Sequence, residues 1–99
     1  MKQLDHPEIS QVRLTDVLAA LGDPVRLEIV RTLQQGERSA SAFECNLANS
    51  TRSHHLKVLR EAGVINHRAE GTRCYVALRP ELEQRFPGLL ASVLGCLAE

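Results

Sequence analysis

The sequence predicts a mainly α fold with a small β-hairpin, a winged helix-turn-helix whose N- and C-terminal helices are left over for dimerisation. Three observations carry this. Two well-punctuated helices are joined by a short segment, the second opens on the polar turn of "STRSHHLKVLREAGVI" (residues 50–65), and two β-prone runs follow around Glu70 and Gly71. A tight helix pair with a polar first turn on its second member, followed by a hairpin, is how that fold is written in sequence.

Taken in order, "TDVLAALGD" reads as a helix with Thr15 as N-cap, Val17, Leu18 and Leu21 on one face, and Gly22 as its end. "DPVRLEIVRTLQQG" is the clearest helix. Asp23 caps it, Pro24 takes the first turn where a missing N–H costs nothing, Gly36 stops it, and Leu27, Ile29, Val30 and Leu33 form its buried stripe. In "SASAFECNLA", Phe43 and Leu47 are four apart and predict a short helix of one or two turns. Asn49 or Ser50 caps the long helix, which runs to Ala62 and ends at Gly63, a natural left-handed position. From Val64 the period changes, and "VINHRAEGTRCYVAL" reads as a hairpin around Glu70-Gly71. The tail "RPELEQRFPGLLASVLGCLAE" places Pro80 and Pro87 at helix starts and lays Leu89, Leu90, Val93, Leu94 and Leu97 in a broad apolar stripe. One small core does not need that surface along with the first helix, so Val17, Leu18, Leu90, Val93, Leu94 and Leu97 are expected at a homodimer interface.

Ninety-nine residues suit a single domain over 1–99. With 43% hydrophobic and 24% charged residues the chain is globular, and with Phe43, Tyr75 and Phe86 as its aromatics the core is aliphatic. "MKQLDHPEIS" lacks the apolar run of a signal peptide, and no stretch approaches the ~20 apolar residues that span a bilayer, so no membrane partner is expected. Cys45, Cys74 and Cys96 form no C-x-x-C pair and are odd in number, which fits a reducing cytoplasm better than a disulfide framework. Formal net charge is zero for the whole chain, yet Thr51 to Arg73 carries +3 and the remainder −3. A positive segment on a neutral domain is a local electrostatic footprint.

The first turn of the long helix defines the chemistry. At about 100° per residue, Leu56 and Leu59 set the inward direction, with Arg52 and His55 near it, while Ser50, Ser53, His54 and Lys57 point away. Hydroxyls both donate and accept, and cations neutralise phosphate, so this face suits base edges and phosphate oxygens of double-stranded DNA. The expected DNA-binding residues are Ser50, Thr51, Arg52, Ser53, His54, His55, Lys57 and Arg60, with Arg68 and Arg73 on the hairpin arms. Arg52 is expected to lay its stem along the core edge with its head free, and His55 to sit packed or touching phosphate beneath the helix. Adjacent histidines diverge and do not share one metal from a regular helix, so no metal is expected there. No G-x-S-x-G turn, glycine-rich phosphate loop or Cys–His signature is present, so neither catalysis nor a cofactor is expected.

"LAALGDPVRLEIVRTL", "STRSHHLKVLREAGVI" and "HRAEGTRCYVAL" together resemble the ArsR-type winged-helix repressors of bacteria over roughly residues 15–98. The resemblance implies a homodimer built from the terminal helices, each protomer presenting its recognition helix to a major groove of operator DNA and its wing to adjacent backbone, with an inducer weakening the complex. Metal-sensing members carry C-x-C before the recognition helix, where "ERSASAFEC" has Cys45 alone; others bind metal through a last helix containing His, which "FPGLLASVLGCLAE" lacks. The inducer is therefore open. Rival readings are a metal- or thiol-responsive repressor using Cys45, Cys74, Cys96 or His67, and a winged-helix module that binds a protein partner instead of DNA.

Overall fold

The computed structural model describes residues 2–3, 5–43 and 49–97. Strand β1 (Lys2–Gln3) and a 3-10 turn at Ile9–Gln11 lead into helices α1 (Leu14–Leu21) and α2 (Pro24–Leu33). Strand β2 (Arg38–Ser39) and a 3-10 turn at Ala40–Phe43 precede helix α3 (Asn49–Glu61), strands β3 (Ile65–Glu70) and β4 (Arg73–Leu78), and helices α4 (Pro80–Arg85) and α5 (Leu89–Gly95). The expected winged helix-turn-helix order is present.

Local chemistry accounts for most boundaries and corrects some. α1 starts at Leu14 with Arg13 in the capping position and no side-chain cap, so Thr15 lies inside its first turn instead of capping it. Its buried residues are Val17, Ala20 and Leu21, the i, i+3, i+4 set, which turns Leu18 outward. Asp23 caps α2 as expected: its carboxylate accepts from the backbone N–H groups of Val25 (2.9 Å) and Arg26 (3.0 Å). Where one or two helical turns were expected, Ala40–Phe43 forms a 3-10 turn; Leu47 lies outside the described residues. α3 already includes Asn49 and Ser50, so neither precedes the helix as its cap. After α5's expected start, Pro87 falls in the turn and the helix begins two residues later.

β3 and β4 form the hairpin, with Glu70 opposite Arg73, so its two-residue turn is Gly71-Thr72, one position later than expected. Gly71 adopts φ +62°, which a residue with a Cβ resists. The sheet is four-stranded and antiparallel in the order β1-β3-β4-β2. Gly63, at φ +89°, joins α3 to β3, and a Cβ there would overlap the Val12 side chain.

One aliphatic core unites the elements. Leu56, Leu59, Val64, Ile65, Val76, Val17, Val30 and Leu82 are essentially inaccessible, each large side chain contributing about 1.5–3 kcal/mol by burial. The Arg85 guanidinium donates to the Val12 carbonyl at 2.7 Å and ties α4 to the segment before α1. Val17, Leu90 and Leu94, expected between protomers, are already buried within the single chain. Val93 and Leu97 pack against the core while remaining half-exposed, and the exposed large apolar side chains among the described residues are Leu14 and Leu18.

Candidate nucleic-acid interface

α3 presents two chemically different faces. Leu56 and Leu59 are buried, whereas Thr51, Ser53, His54 and Lys57 are exposed on the opposite side, as the helical period predicts. Among the described residues no hydrogen bond or ion pair holds Ser53, His54 or Lys57. The side chain of Ser50 lies outside what the structure describes. His54 has a ring contact, with His55 at 5.8 Å between centroids, and the hydroxyl, imidazole and ammonium, none of them held by a hydrogen bond or ion pair among the described residues, are available to an incoming polar surface.

The inward edge of the same turn is an anchor. His55 keeps 12% of its side chain exposed, and its Nδ1 lies 3.2 Å from Nη1 of Arg26. A guanidinium only donates, so this contact places the lone pair on Nδ1 and the ring proton on Nε2. Arg26 also donates from Nε to the Ala20 carbonyl at 2.6 Å, and Asp23 Oδ2 sits 3.9 Å from His55 Nδ1. The end of α1, the start of α2 and the first turns of α3 are thus held by one polar network. Asp23 is kept below the usual carboxylate range, chiefly by the backbone N–H of Arg26 and further by the Arg26 charge, against the opposing effect of burial. His55 is therefore packed beneath the helix with its Nδ1 facing Arg26.

The remaining cations part ways. Arg52 is half-buried with Nη1 shielded from solvent, so its head is not free as expected. Arg60 turns toward the sheet, half-buried, with Nε shielded and without a hydrogen-bond partner among the described residues, while Lys57 stays in solvent. On the hairpin, Arg73 is exposed and no carboxylate among the described residues pairs with it. Arg68 is engaged: Nη1 donates to Glu70 Oε1 at 2.6 Å and Nη2 to Glu37 Oε1 at 3.0 Å, with the guanidinium 4.7 Å from the Tyr75 ring centre.

A cleft of about 460 Å³ separates the first turns of α3 from the hairpin, and Ser39, Ser41, Arg52, Ser53, Thr72 and Arg73 are among its lining residues. His67 and Cys74 also face it from the inner side of the sheet. Burial, aided by the charges of Arg60 and His6, lowers the His67 pKa, and the His67 backbone N–H donates to His6 Nε2 at 2.9 Å. Cys74 is half-buried and Cys96, just past α5, is exposed; Cys45 lies outside the described residues. Among the described residues no three His, Cys, Asp or Glu side chains gather as a metal site would require.

Sequence reasoning missed Arg26 and Glu37. The D-P-x-R pattern was visible, but the partner of its arginine lies 29 residues away. Glu37 had no local signal, since it meets Arg68 across 31 residues.

The family model for bacterial regulatory proteins of the arsR family matches residues 23–67, from the α2 cap to the middle of β3. An uncharacterized HTH-type transcriptional regulator of Bacillus subtilis, YceK, is 38% identical over 98 residues, covering 94% of this chain and 93% of its own. The biofilm growth-associated repressor of Agrobacterium fabrum is 37% identical over 94 residues, covering 86% of this chain and 80% of its own. In three dimensions, the homodimeric winged helix-turn-helix DNA-binding domain of Mb0332 from Mycobacterium bovis, a possible ArsR-family transcriptional regulator, superimposes with a TM-score of 0.69 at 32% identity, covering 87% of this chain and 82% of that one.

Proposed function

The chain belongs to the ArsR family of bacterial regulatory proteins and is a DNA-binding transcriptional regulator, and we propose that it is a cytoplasmic repressor that grips operator DNA as a homodimer and lets go when an inducer binds. The observation that carries this is the outward face of α3, where Ser53, His54 and Lys57 stand exposed and, among the described residues, held by no hydrogen bond or ion pair, while His55 and Arg26 hold the turn from behind. That arrangement suits a helix laid in the major groove: the free side chains meet base edges and phosphates, and the anchored ones fix the helix orientation. Arg73, exposed across the cleft, supplies the adjacent backbone contact. The function is recognition, not catalysis, performed by one domain over 1–99. Among the described residues no helix is long and apolar enough to cross a membrane.

Dimerisation falls to the apolar side chains the protomer leaves uncovered. Leu14 and Leu18 are 43% and 45% exposed, and Val93 and Leu97 at the other end of the chain are half-covered. The Mycobacterium bovis relative, a homodimer, supports this reading. Two recognition helices about one DNA turn apart then read two half-sites.

The test is selection of bound duplexes from fragments of the source genome, followed by mapping of the protected bases. A recurring inverted repeat with half-sites about ten base pairs apart is expected. Recovery of fragments without a shared sequence, bound no better than random DNA, would contradict sequence-specific repression.

A further inference from the structure

We propose that Glu37 and Glu70 form a carboxylate clamp that withholds Arg68 from DNA phosphate, so that the clamp, and not the count of wing cations, sets the strength of the wing's grip on DNA. This rests on the DNA-binding reading above and adds to it an electrostatic regulator built into the wing.

The geometry is specific. Arg68 and Tyr75 are directly opposite each other across the β3–β4 ladder, and Arg68 and Glu70 are two apart on one strand, so all three share the face of the sheet turned away from α3. From β3 the arginine reaches over the Tyr75 ring, with its guanidinium carbon 4.7 Å from the centroid, to Glu37 just before β2. There Nη2 meets Oε1 at 3.0 Å and Nε meets Oε2 at 3.3 Å, a two-pronged pairing. The remaining terminal nitrogen, Nη1, meets Glu70 Oε1 at 2.6 Å.

A guanidinium presents its donors in one planar fork, and here each nitrogen is directed to a carboxylate while the central carbon lies over the Tyr75 ring. The local sum of one cation and two anions is negative. A phosphate approaching Arg68 must break the two-pronged pair and approach two carboxylates, whereas at Arg73 it meets an exposed, unpaired cation. Glu70 and Glu37 also hold the Arg68 pKa above its ordinary value, the direction expected of a cation already satisfied by anions. An isolated exposed ion pair contributes little, but a stacked, forked network keeps its geometry.

Salt dependence of binding counts phosphate contacts and gives a direct test. Wild type, Arg73→Ala, Arg68→Ala, Arg68→Met, Glu37→Gln/Glu70→Gln and that pair combined with Arg68→Met are titrated by fluorescence anisotropy against a selected duplex across a salt series. Arg73→Ala is expected to reduce the slope of log affinity against log salt by about 0.9. Arg68→Met, which keeps a stem over Tyr75, is expected to retain the wild-type slope, and Arg68→Ala likewise if its wing stays folded by circular dichroism. The paired Gln variant is expected to steepen the slope by about 0.9 as Arg68 becomes available, and to lose that gain when Arg68→Met is added.

The clamp is overturned if Arg68→Met lowers the slope as Arg73→Ala does, if the paired Gln variant binds like wild type, or if its gain survives removal of Arg68, which would show relieved repulsion alone. Each of these leaves wild-type binding intact. Absence of salt-dependent DNA binding by the wild type would instead overturn the functional reading, and the clamp with it.

Discussion

The long helix α3 and the β3–β4 wing both carry basic side chains that sequence alone marks for DNA, and they use them differently. On α3 the helical period separates an exposed set, Ser53, His54 and Lys57, from a half-buried set, Arg52 and His55, on the inward side of the same cylinder. On the wing the same division is made by pairing instead of by direction: Arg68 is tied to Glu37 and Glu70, while Arg73, on the same face of the sheet, is not. A cation in the sequence is therefore not yet a cation offered to a ligand. On a helix the period tells which are offered; on a hairpin the answer depends on residues far along the chain.

The comparison breaks most sharply at Arg26, which supports α3 without touching the wing. Arg26→Ala would leave His55 Nδ1 and the Ala20 carbonyl without their donor and is expected to cost about 1–3 kcal/mol of stability. Urea unfolding measures that. Discrimination between a selected and a random duplex should fall with it, because the recognition helix loses its fixed orientation, while the wing's contribution to the salt slope should hold. Arg26→Lys should recover little, since an ammonium lacks the fork that serves both acceptors. An Arg26→Ala protein of unchanged stability and discrimination would remove the anchor from the account.

A smaller effect lies at the joint between the two regions, where His67 on β3 feels Arg60 from α3 and His6 from the N-terminal segment. Burial first, then those two charges, depress its pKa below the ordinary 6.5. Its contribution to stability is complete above pH 6.5 and is lost as pH falls through the folded value, because the unfolded chain binds a proton that the folded chain refuses. His67→Gln should flatten the decline of stability between pH 6.5 and that lower value, as read from thermal unfolding across pH. An identical decline in the variant would assign the loss to other groups.

How much of this was legible follows from the range of each interaction. The α2 start was readable because Asp23 and Pro24 act within three residues, and the face of α3 was readable because 3.6-residue periodicity is local. α1 begins two residues earlier than the expected Thr15 cap implies, and Leu18 turns outward while Ala20 completes the buried face with Val17; a small residue carries little hydrophobic signal even where it packs. Strands β1 and β2 are two residues each and exist through their partners β3 and β4, so no propensity announces them. Leu90 and Leu94 were assigned to a partner because the apolar surface of the tail exceeded one imagined core; α5 instead lays both on its own protomer. The Arg68–Glu37 and His67–His6 pairs span 31 and 61 residues, beyond any local pattern.

Division of labour between the outward face of α3 and the wing is tested most directly by titrating wild type, Ser53→Ala, His54→Ala and Arg73→Ala against a selected duplex and a random duplex of equal length at one fixed salt concentration. Ser53→Ala and His54→Ala are each expected to lose about 1–3 kcal/mol on the selected duplex and little on the random one, whereas Arg73→Ala should weaken both alike. Full discrimination retained by both Ser53→Ala and His54→Ala would contradict the assignment of base reading to α3.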